Sequence, residues 1–211
     1  MPLLLKSVSA AQGARWVMDA WRIFLKRPLG FCGLFASFLL ALVLGTLVPV
    51  LGHLVVAGSM PIVSLGFMIA TASALAGGPV HPRQFLEPLR GDPQRRRSLL
   101  ALCGLYVVGL LATVLVPNVI DGGAFNRLAT LLQNRAPLDE VLAAATGPGV
   151  LVYVALVVLV SVPFWHASAL VHWGGQRPAQ ALFSSTLAVW RCRGAFLVYT
   201  LVLMGTIVAL S

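Results

Sequence analysis

Long apolar stretches alternate with shorter polar segments along the whole chain. The stretches without Asp, Glu, Lys or Arg predict five transmembrane helices, at about residues 29–48, 54–76, 98–116, 148–173 and 195–211. A helix needs about 20 residues to cross the hydrocarbon core, so the last stretch is at the lower limit. Helices satisfy their own backbone hydrogen bonds in lipid. The predicted fold class is therefore all-α, a polytopic transmembrane helical bundle that forms a single membrane domain over residues 1–211.

Prolines interrupt several of these stretches. Pro61 favours a second span that is kinked rather than a re-entrant loop, because proline is tolerated in lipid-embedded helices. Pro163 interrupts the fourth span in the same way, and Pro117 is expected to end the third helix. The pattern thus predicts bent spans rather than missing ones.

Two further segments are amphipathic. Residues 14–27 place apolar side chains at helical spacing opposite Arg, Lys and Asp, and residues 178–193 have a similar pattern. Such helices lie in the headgroup layer of a membrane, where tryptophan rings anchor them. We therefore predict an interfacial helix at 14–27 and another at 178–193. The tryptophans expected to act as interface anchors are Trp16, Trp21, Trp173 and Trp190.

Positive charge follows the same alternation. Of the 15 Lys and Arg residues, 13 lie before residue 28, between 79 and 97, or between 174 and 194. The remaining two, Arg127 and Arg135, lie in the outer loop, residues 119–147. Because basic loops stay on the cytoplasmic side during insertion, this bias predicts an integral membrane protein with a cytoplasmic N-terminus.

The outer loop contains two short helical patterns, which start near Ala124 and Pro137. Asp121 directly precedes the first of them. An Asp before a helical pattern is a common start signal, so its carboxylate is expected to cap the helix at Ala124 rather than bind a ligand.

The composition excludes a soluble domain. Hydrophobic residues make up 59% of the chain and charged residues 10%, whereas about a quarter of a soluble domain is charged. The net charge of +9 is compatible with nucleic acid, but the arginines flank apolar spans, where anionic headgroups are the simpler counter-charge. The expected partners are membrane lipids, through anionic headgroups at the cytoplasmic face, and not nucleic acid.

Candidate chemistry is sparse. No span carries a charged side chain in its interior, which argues against a proton or ion pathway. His166 and His172 lie on different faces of one helix, and His166 is expected to hydrogen-bond to a neighbouring helix. No catalytic or nucleotide-binding motif occurs. We therefore expect no enzyme activity, no catalytic residue, no metal site and no cofactor.

Charged residues between the second and third spans are the candidate contacts. Arg95, Arg96 and Arg97 are interpreted first as topology determinants, then as contacts to anionic lipid or a partner. Glu87 and Arg90 are expected either to pair with each other or to hold their loop against the interfacial helix.

Six short motifs follow one another over most of the chain. They are Trp16-x-x-Asp19-Ala20-Trp21-Arg22-x-Phe24, Ser64-Leu65-Gly66-Phe67-Met68, Phe85-Leu86-Glu87-Pro88-Leu89-Arg90, Asp121-Gly122-Gly123, Pro163-Phe164-Trp165 and Ala188-Val189-Trp190-Arg191. In this order they resemble an uncharacterised proteobacterial multi-pass inner-membrane protein family of about six spans. The resemblance implies a location in the inner membrane and an architecture, and it brings no reaction or ligand. It also implies a sixth span after residue 211.

Two functions fit these observations. The first is a scaffold, assembly or accessory component of a membrane complex, with another inner-membrane protein as its partner. The alternative is a carrier or flippase for an apolar or lipid-like substrate, which a weak repeat of helical hairpins and the interrupted spans favour. The alternative predicts an interhelical cavity, lined by Pro61, Pro163, Trp165 and His166, with either Asp121 or the basic run 95–97 at a mouth.

Overall fold

The computed structural model describes residues 8–48 and 51–210, and within these residues the chain is helical without a strand. The elements in chain order are α1 Ala11–Lys26, α2 Pro28–Thr46, α3 Leu51–Gly58, α4 Met60–Leu75, a short 3-10 helix Pro82–Phe85, α5 Glu87–Arg90, α6 Pro93–Ile120, α7 Ala124–Gln133, α8 Leu138–Ala145, α9 Pro148–His172, α10 Pro178–Arg191 and α11 Arg193–Leu210. The predicted all-α fold class is confirmed.

Three helices are individually long and apolar enough to cross a membrane, namely α2, α6 and α9. Two further helix pairs qualify only together, and each is bent as a broken span or a re-entrant loop would be. The pair α3 and α4 is bent by 42° and the pair α10 and α11 by 79°. The described residues thus contain three candidate spans, or up to five if each bent pair is one span. Pro61 lies in the first turn of α4, where its missing N–H removes no helical hydrogen bond.

The expectation that Pro117 ends the third helix is wrong. Helix α6 has 28 residues and continues through Pro117 to Ile120. The side-chain amide of Asn118 donates a hydrogen bond of 2.8 Å to the carbonyl oxygen of Val114, one turn earlier. This bond lies beside the turn in which Pro117 lacks its N–H, and such local compensation lets a lipid-embedded helix continue through proline.

Chain contacts divide the protein into two compact units. Unit 1 comprises Met1–Cys103 and Pro163–Ser211, and unit 2 comprises Gly104–Val162. Helices α6 and α9 therefore each contribute to both units. The core of unit 1 forms where α4, α6, α9 and α10 pack together, and its buried side chains are Leu65, Ile69, Leu99, Leu102, Ala167, Val171 and Ala181.

Unit 2 contains the outer-loop helices α7 and α8 and the adjoining parts of α6 and α9. Gly109 of α6 faces Val160 of α9, and a Cβ atom at Gly109 would lie 3.1 Å from both methyl groups of that valine. Lack of a side chain at this position lets the two helices approach closely, as is common in lipid.

A second close approach joins the first and last helices of unit 1. A Cβ atom at Gly13 of α1 would overlap the carbonyl oxygen of Ala195 in α11 and lie 2.8 Å from the backbone nitrogen of Tyr199. The ring of Trp16 packs edge-on against Phe196, with ring centroids 5.5 Å apart. The amphipathic helix at the start of the chain is thus packed on the last apolar helix through a glycine and an aromatic ring.

Positive charge is concentrated in unit 1, just as it is concentrated in every second loop of the sequence. Unit 2 contains Arg127 and Arg135, and every other described Lys and Arg belongs to unit 1. The basic segments, far apart in sequence, therefore belong to one compact unit.

Candidate functional site

The candidate site is the part of unit 1 where basic segments meet the ends of the long helices. Two long-range hydrogen bonds define it. Arg27 Nη2, at the start of α2, donates to the carbonyl oxygen of Gly77 after α4, at 3.0 Å. Arg95 Nη1, in the first turn of α6, donates to the carbonyl oxygen of His172 at the end of α9, at 3.1 Å. Both acceptors lie at helix C-termini, where carbonyl groups lack intrahelical partners.

A pocket of about 480 Å³ opens beside Arg95. We call it the polar pocket. Its lining residues are Asp92, Gln94, Arg95, Ser98, Val171, Gly175, Gln176 and Arg177. Asp92 caps α6, because its Oδ1 accepts the backbone N–H of Gln94 at 3.0 Å. Its Oδ2 lies 3.8 Å from Nε of Arg95. The carboxylate thus orders the first turn of α6 and helps to hold the arginine.

The turn after α9 forms the other wall of the polar pocket. Gly175 has a φ of +62°, which favours glycine. Its N–H donates to the carbonyl oxygen of Val171 at 3.1 Å, and the N–H of Gln176 donates to that of Leu170 at 3.3 Å. This termination of α9 satisfies its last carbonyl groups and turns Gln176 and Arg177 towards the pocket.

Sequence reasoning missed most of this pocket. Among its polar residues only Arg95 was predicted as a contact. Asp92 had a signal, since Asp followed by Pro is a typical helix start. Ser98, Gln176 and Arg177 have no local pattern, because only the packing of α6 against α9 brings them together.

The loop between α4 and α6 is ordered by its own side chains. His81 Nδ1 accepts the N–H of Arg83 at 3.1 Å, and the side chain of Gln84 accepts the N–H of His81 at 3.0 Å. The ring of Phe85 packs against Phe67 of α4 at 5.3 Å. These contacts attach the loop to unit 1.

Within the described residues, Glu87 and Arg90 are not within ion-pair distance of each other; the ion pairs found there join Arg22 to Asp19 and Arg95 to Asp92. Arg96 and Arg97 are exposed.

The predicted interface anchors fall into two groups. Trp21, Trp173 and Trp190 are 60%, 54% and 67% exposed, as an anchoring ring requires. Trp190 also lies under the guanidinium of Arg193, at 5.3 Å from the ring centroid. Trp16 is instead half-buried against α11. Anchoring in a membrane stays a prediction for all four.

The residues of the predicted carrier cavity are placed as follows. Trp165 and His166 both contact the ring of Phe196, with centroids 5.6 Å and 5.8 Å away. Trp165 is 42% exposed, and Pro61 is buried. The backbone N–H of His166 donates to Ser185 Oγ of α10 at 3.0 Å, whereas the hydrogen bond expected from the His166 side chain stays a prediction. The cavity itself stays a prediction.

Asp121 caps a different helix from the one expected. Its Oδ2 accepts the backbone N–H of Gly149, in the first turn of α9, at 2.9 Å. The N-cap residue of helix α7 is Gly123, and no side chain caps this helix. The correction follows from packing, because Asp121 directly follows α6 and faces the start of α9 within unit 2. Asp121 also lines a pocket there, of about 470 Å³, with Arg127 and Glu140.

Over the residues that the structure describes, no cluster of three or more His, Cys, Asp or Glu side chains is arranged to hold a metal ion. The site therefore consists of arginines, one carboxylate, amides and a hydroxyl.

Comparison with known proteins identifies the family. The chain is 34% identical over 197 residues to a probable inner membrane protein of Burkholderia thailandensis. The alignment covers 92% of this chain and 73% of that relative. The chain belongs to this family of inner-membrane proteins. The resemblance of its motifs to a proteobacterial inner-membrane family is thereby confirmed, as is its assignment as a multi-pass membrane protein. No family model matches the chain, and no solved structure is similar to it.

Proposed function

We propose that the protein is a non-enzymatic accessory component that assembles with another inner-membrane protein through an open face of its spans. The observation that carries the proposal is the exposure of α2. Only 6% of the residues in its apolar window are buried by the rest of the chain, against 17% in α6 and 11% in α9. Helix α2 is the least covered of the three helices that each qualify as a span by themselves.

The small residues of the spans support the choice of α2. Ala70 and Ala74 of α4 are 0% and 3% exposed, so the chain itself covers that pair. A Cβ atom at Gly33 of α2, in contrast, would have no atom within 4 Å among the neighbours considered. Glycine on a span lets another helix approach closely, and among the described residues no atom of another helix lies within 4 Å of that Cβ position.

The chemistry of the spans supports a role without catalysis. Their interiors carry no charged side chain, and the two arginines that make long-range hydrogen bonds, Arg27 and Arg95, lie at helix ends. A protein that binds another membrane protein through the apolar faces of its helices needs no reactive side chain.

The proposal is tested by photo-crosslinking in native membranes. A photoreactive amino acid at Leu40 of α2, which is 60% exposed, is expected to give one discrete adduct with a second membrane protein. The same substitution at Leu34, which is 0% exposed, is the control and is expected to give none. Adducts with lipid alone, or with further copies of this chain alone, would contradict the proposal.

A second arm locates the contact. Gly33→Leu is expected to abolish the Leu40 adduct, because the added side chain prevents close approach. Gly104→Leu, at an equally open glycine of α6, is the matched control and should leave the adduct unchanged. Equal loss in both variants would argue against docking through α2.

A groove along α4 favours a second candidate, a carrier for an apolar or lipid-like substrate. The groove has a volume of about 540 Å³, and its lining is mainly apolar: Ser64, Phe67, Met68, Thr71, Ala72, Leu75 and Trp173. Its residues differ from those that the carrier hypothesis predicts. Vesicles that contain the purified protein and a fluorescent phospholipid distinguish the two functions, because only a carrier speeds exchange of the lipid between leaflets.

A further inference from the structure

We propose that the polar pocket of unit 1 binds a phosphate group, the group that phospholipid headgroups and inorganic phosphate share. The pocket lies where α6 begins and α9 ends, and each helix leads from there into an apolar window. For a span, this is the level of the membrane surface. A phospholipid phosphate is therefore present there at high local concentration.

Two arginines supply the positive charge. Arg95 is held at the wall by its hydrogen bond to His172 and by Asp92, so its guanidinium is oriented before a ligand arrives. Arg177 follows the glycine turn directly and lines the same pocket. The planar guanidinium group suits phosphate, because its N–H groups bond two oxygens at once.

The carboxylate in the pocket does not cancel this charge. Asp92 accepts a backbone N–H of α6 and lies beside Arg95, so its oxygens serve the helix start and that arginine. Arg177 adds a second positive charge that this single carboxylate leaves unbalanced. Helix α10 begins at Pro178 without a side-chain cap, so its positive end also lies next to Arg177.

Uncharged polar side chains complete the lining of the pocket. Gln176 contributes a side-chain amide, whose N–H groups are suited to donate to phosphate oxygens. Ser98, which is 8% exposed, adds a hydroxyl to the same wall.

The experiment measures lipid binding to the full chain in detergent by native mass spectrometry. The probes are phosphatidylglycerol and a diacylglycerol with the same acyl chains, which lacks the phosphate. Arg177→Gln is expected to weaken phosphatidylglycerol binding about tenfold or more, since one charged hydrogen-bonding group is lost. Arg96→Gln removes the same charge from an arginine that is exposed, as Arg177 is, but lies outside the pocket. It is expected to change binding by about twofold or less.

Inorganic phosphate distinguishes the sources of the ligand. If phosphate alone raises the thermal stability of the wild type and not of Arg177→Gln, the site takes free phosphate. If only phosphatidylglycerol binds, the site takes the lipid headgroup. Either result supports a phosphate site. Equal binding of diacylglycerol and phosphatidylglycerol, or equal weakening by Arg96→Gln and Arg177→Gln, would overturn it.

Discussion

One carboxylate illustrates how a single residue stabilises the fold. Asp121 directly follows α6, and its carboxylate accepts the N–H of Gly149 at the start of α9. The first N–H groups of a helix have no intrahelical partner. A carboxylate there stabilises the helix in two ways, because it accepts such an N–H and its negative charge faces the positive end of the helix dipole. The residue thereby joins the ends of two long helices of unit 2.

Replacing Asp121 with Ala is expected to destabilise the protein by about 1 kcal/mol, the usual cost of losing an N-cap side chain. Asp121→Asn retains an oxygen that accepts the same hydrogen bond and is the matched control. Thermal unfolding in detergent measures the stability, and hydrogen exchange of the first turn of α9 locates the effect. Equal stability of the Ala and Asn variants would show that the cap contributes nothing.

At the scale of elements, the packing of α1 on α11 depends on close backbone approach. Gly13 lies against the backbone of Ala195 in α11. One turn further along α1, the ring of Trp16 contacts the rings of Phe196 and Tyr199, also in α11. An amphipathic helix of 16 residues gains little stability by itself in water. Its contact with α11 therefore contributes to its fixed position in unit 1.

Gly13→Ala is expected to destabilise this contact by about 1–3 kcal/mol, because the added methyl group meets backbone atoms that cannot move aside without shifting a helix. Gly33→Ala is the control, since its methyl group would meet no atom within 4 Å. That substitution is expected to be neutral or to stabilise by up to about 1 kcal/mol through helix propensity. Thermal unfolding and protease cleavage within α1 measure both variants. Equal behaviour of the two would contradict the packing of α1 through Gly13.

At the scale of the whole molecule, the distribution of charge determines orientation. Both arginines of the outer loop belong to unit 2, whereas the described basic residues of the three other segments belong to unit 1. Because cations resist translocation, a bias of this size favours one orientation strongly. We propose that the N-terminus and the loop before α6 are cytoplasmic.

Cysteine labelling tests this orientation. In a background where Cys32, Cys103 and Cys192 are replaced, Gly91→Cys is expected to be protected from an impermeant reagent in intact cells. Gln133→Cys, at the exposed end of α7, is expected to be labelled. Both positions become reactive when the membrane is opened, which provides the control. Labelling of Gly91→Cys in intact cells would contradict the whole topology.

The helical fold was predictable because its signal is local. A span must be apolar over about 20 residues, and this requirement is visible without knowledge of its neighbours. Helix ends were less predictable. Pro117 is a helix breaker by itself, and only its burial and the bond from Asn118 show why α6 continues.

The candidate site was predictable only in part, because a site depends on residues from several helices. Arg95 was recognisable from its basic run. The turn at Gly175 places Gln176 and Arg177 in the pocket. The partner of Asp121, Gly149, lies 28 residues away in the chain, so no local pattern indicates it.

The sequence by itself determined that the protein lies in a lipid bilayer, that its fold is helical, and on which side of the membrane each loop is expected. Hydropathy and charge decide these properties through the membrane rather than through specific contacts. Tertiary structure alone decided that Gly13 packs on Ala195, that Asp121 caps α9 and that Arg95 and Arg177 line one pocket. Those outcomes depend on distances of a few ångströms between segments far apart in the chain, and no periodic pattern records such distances.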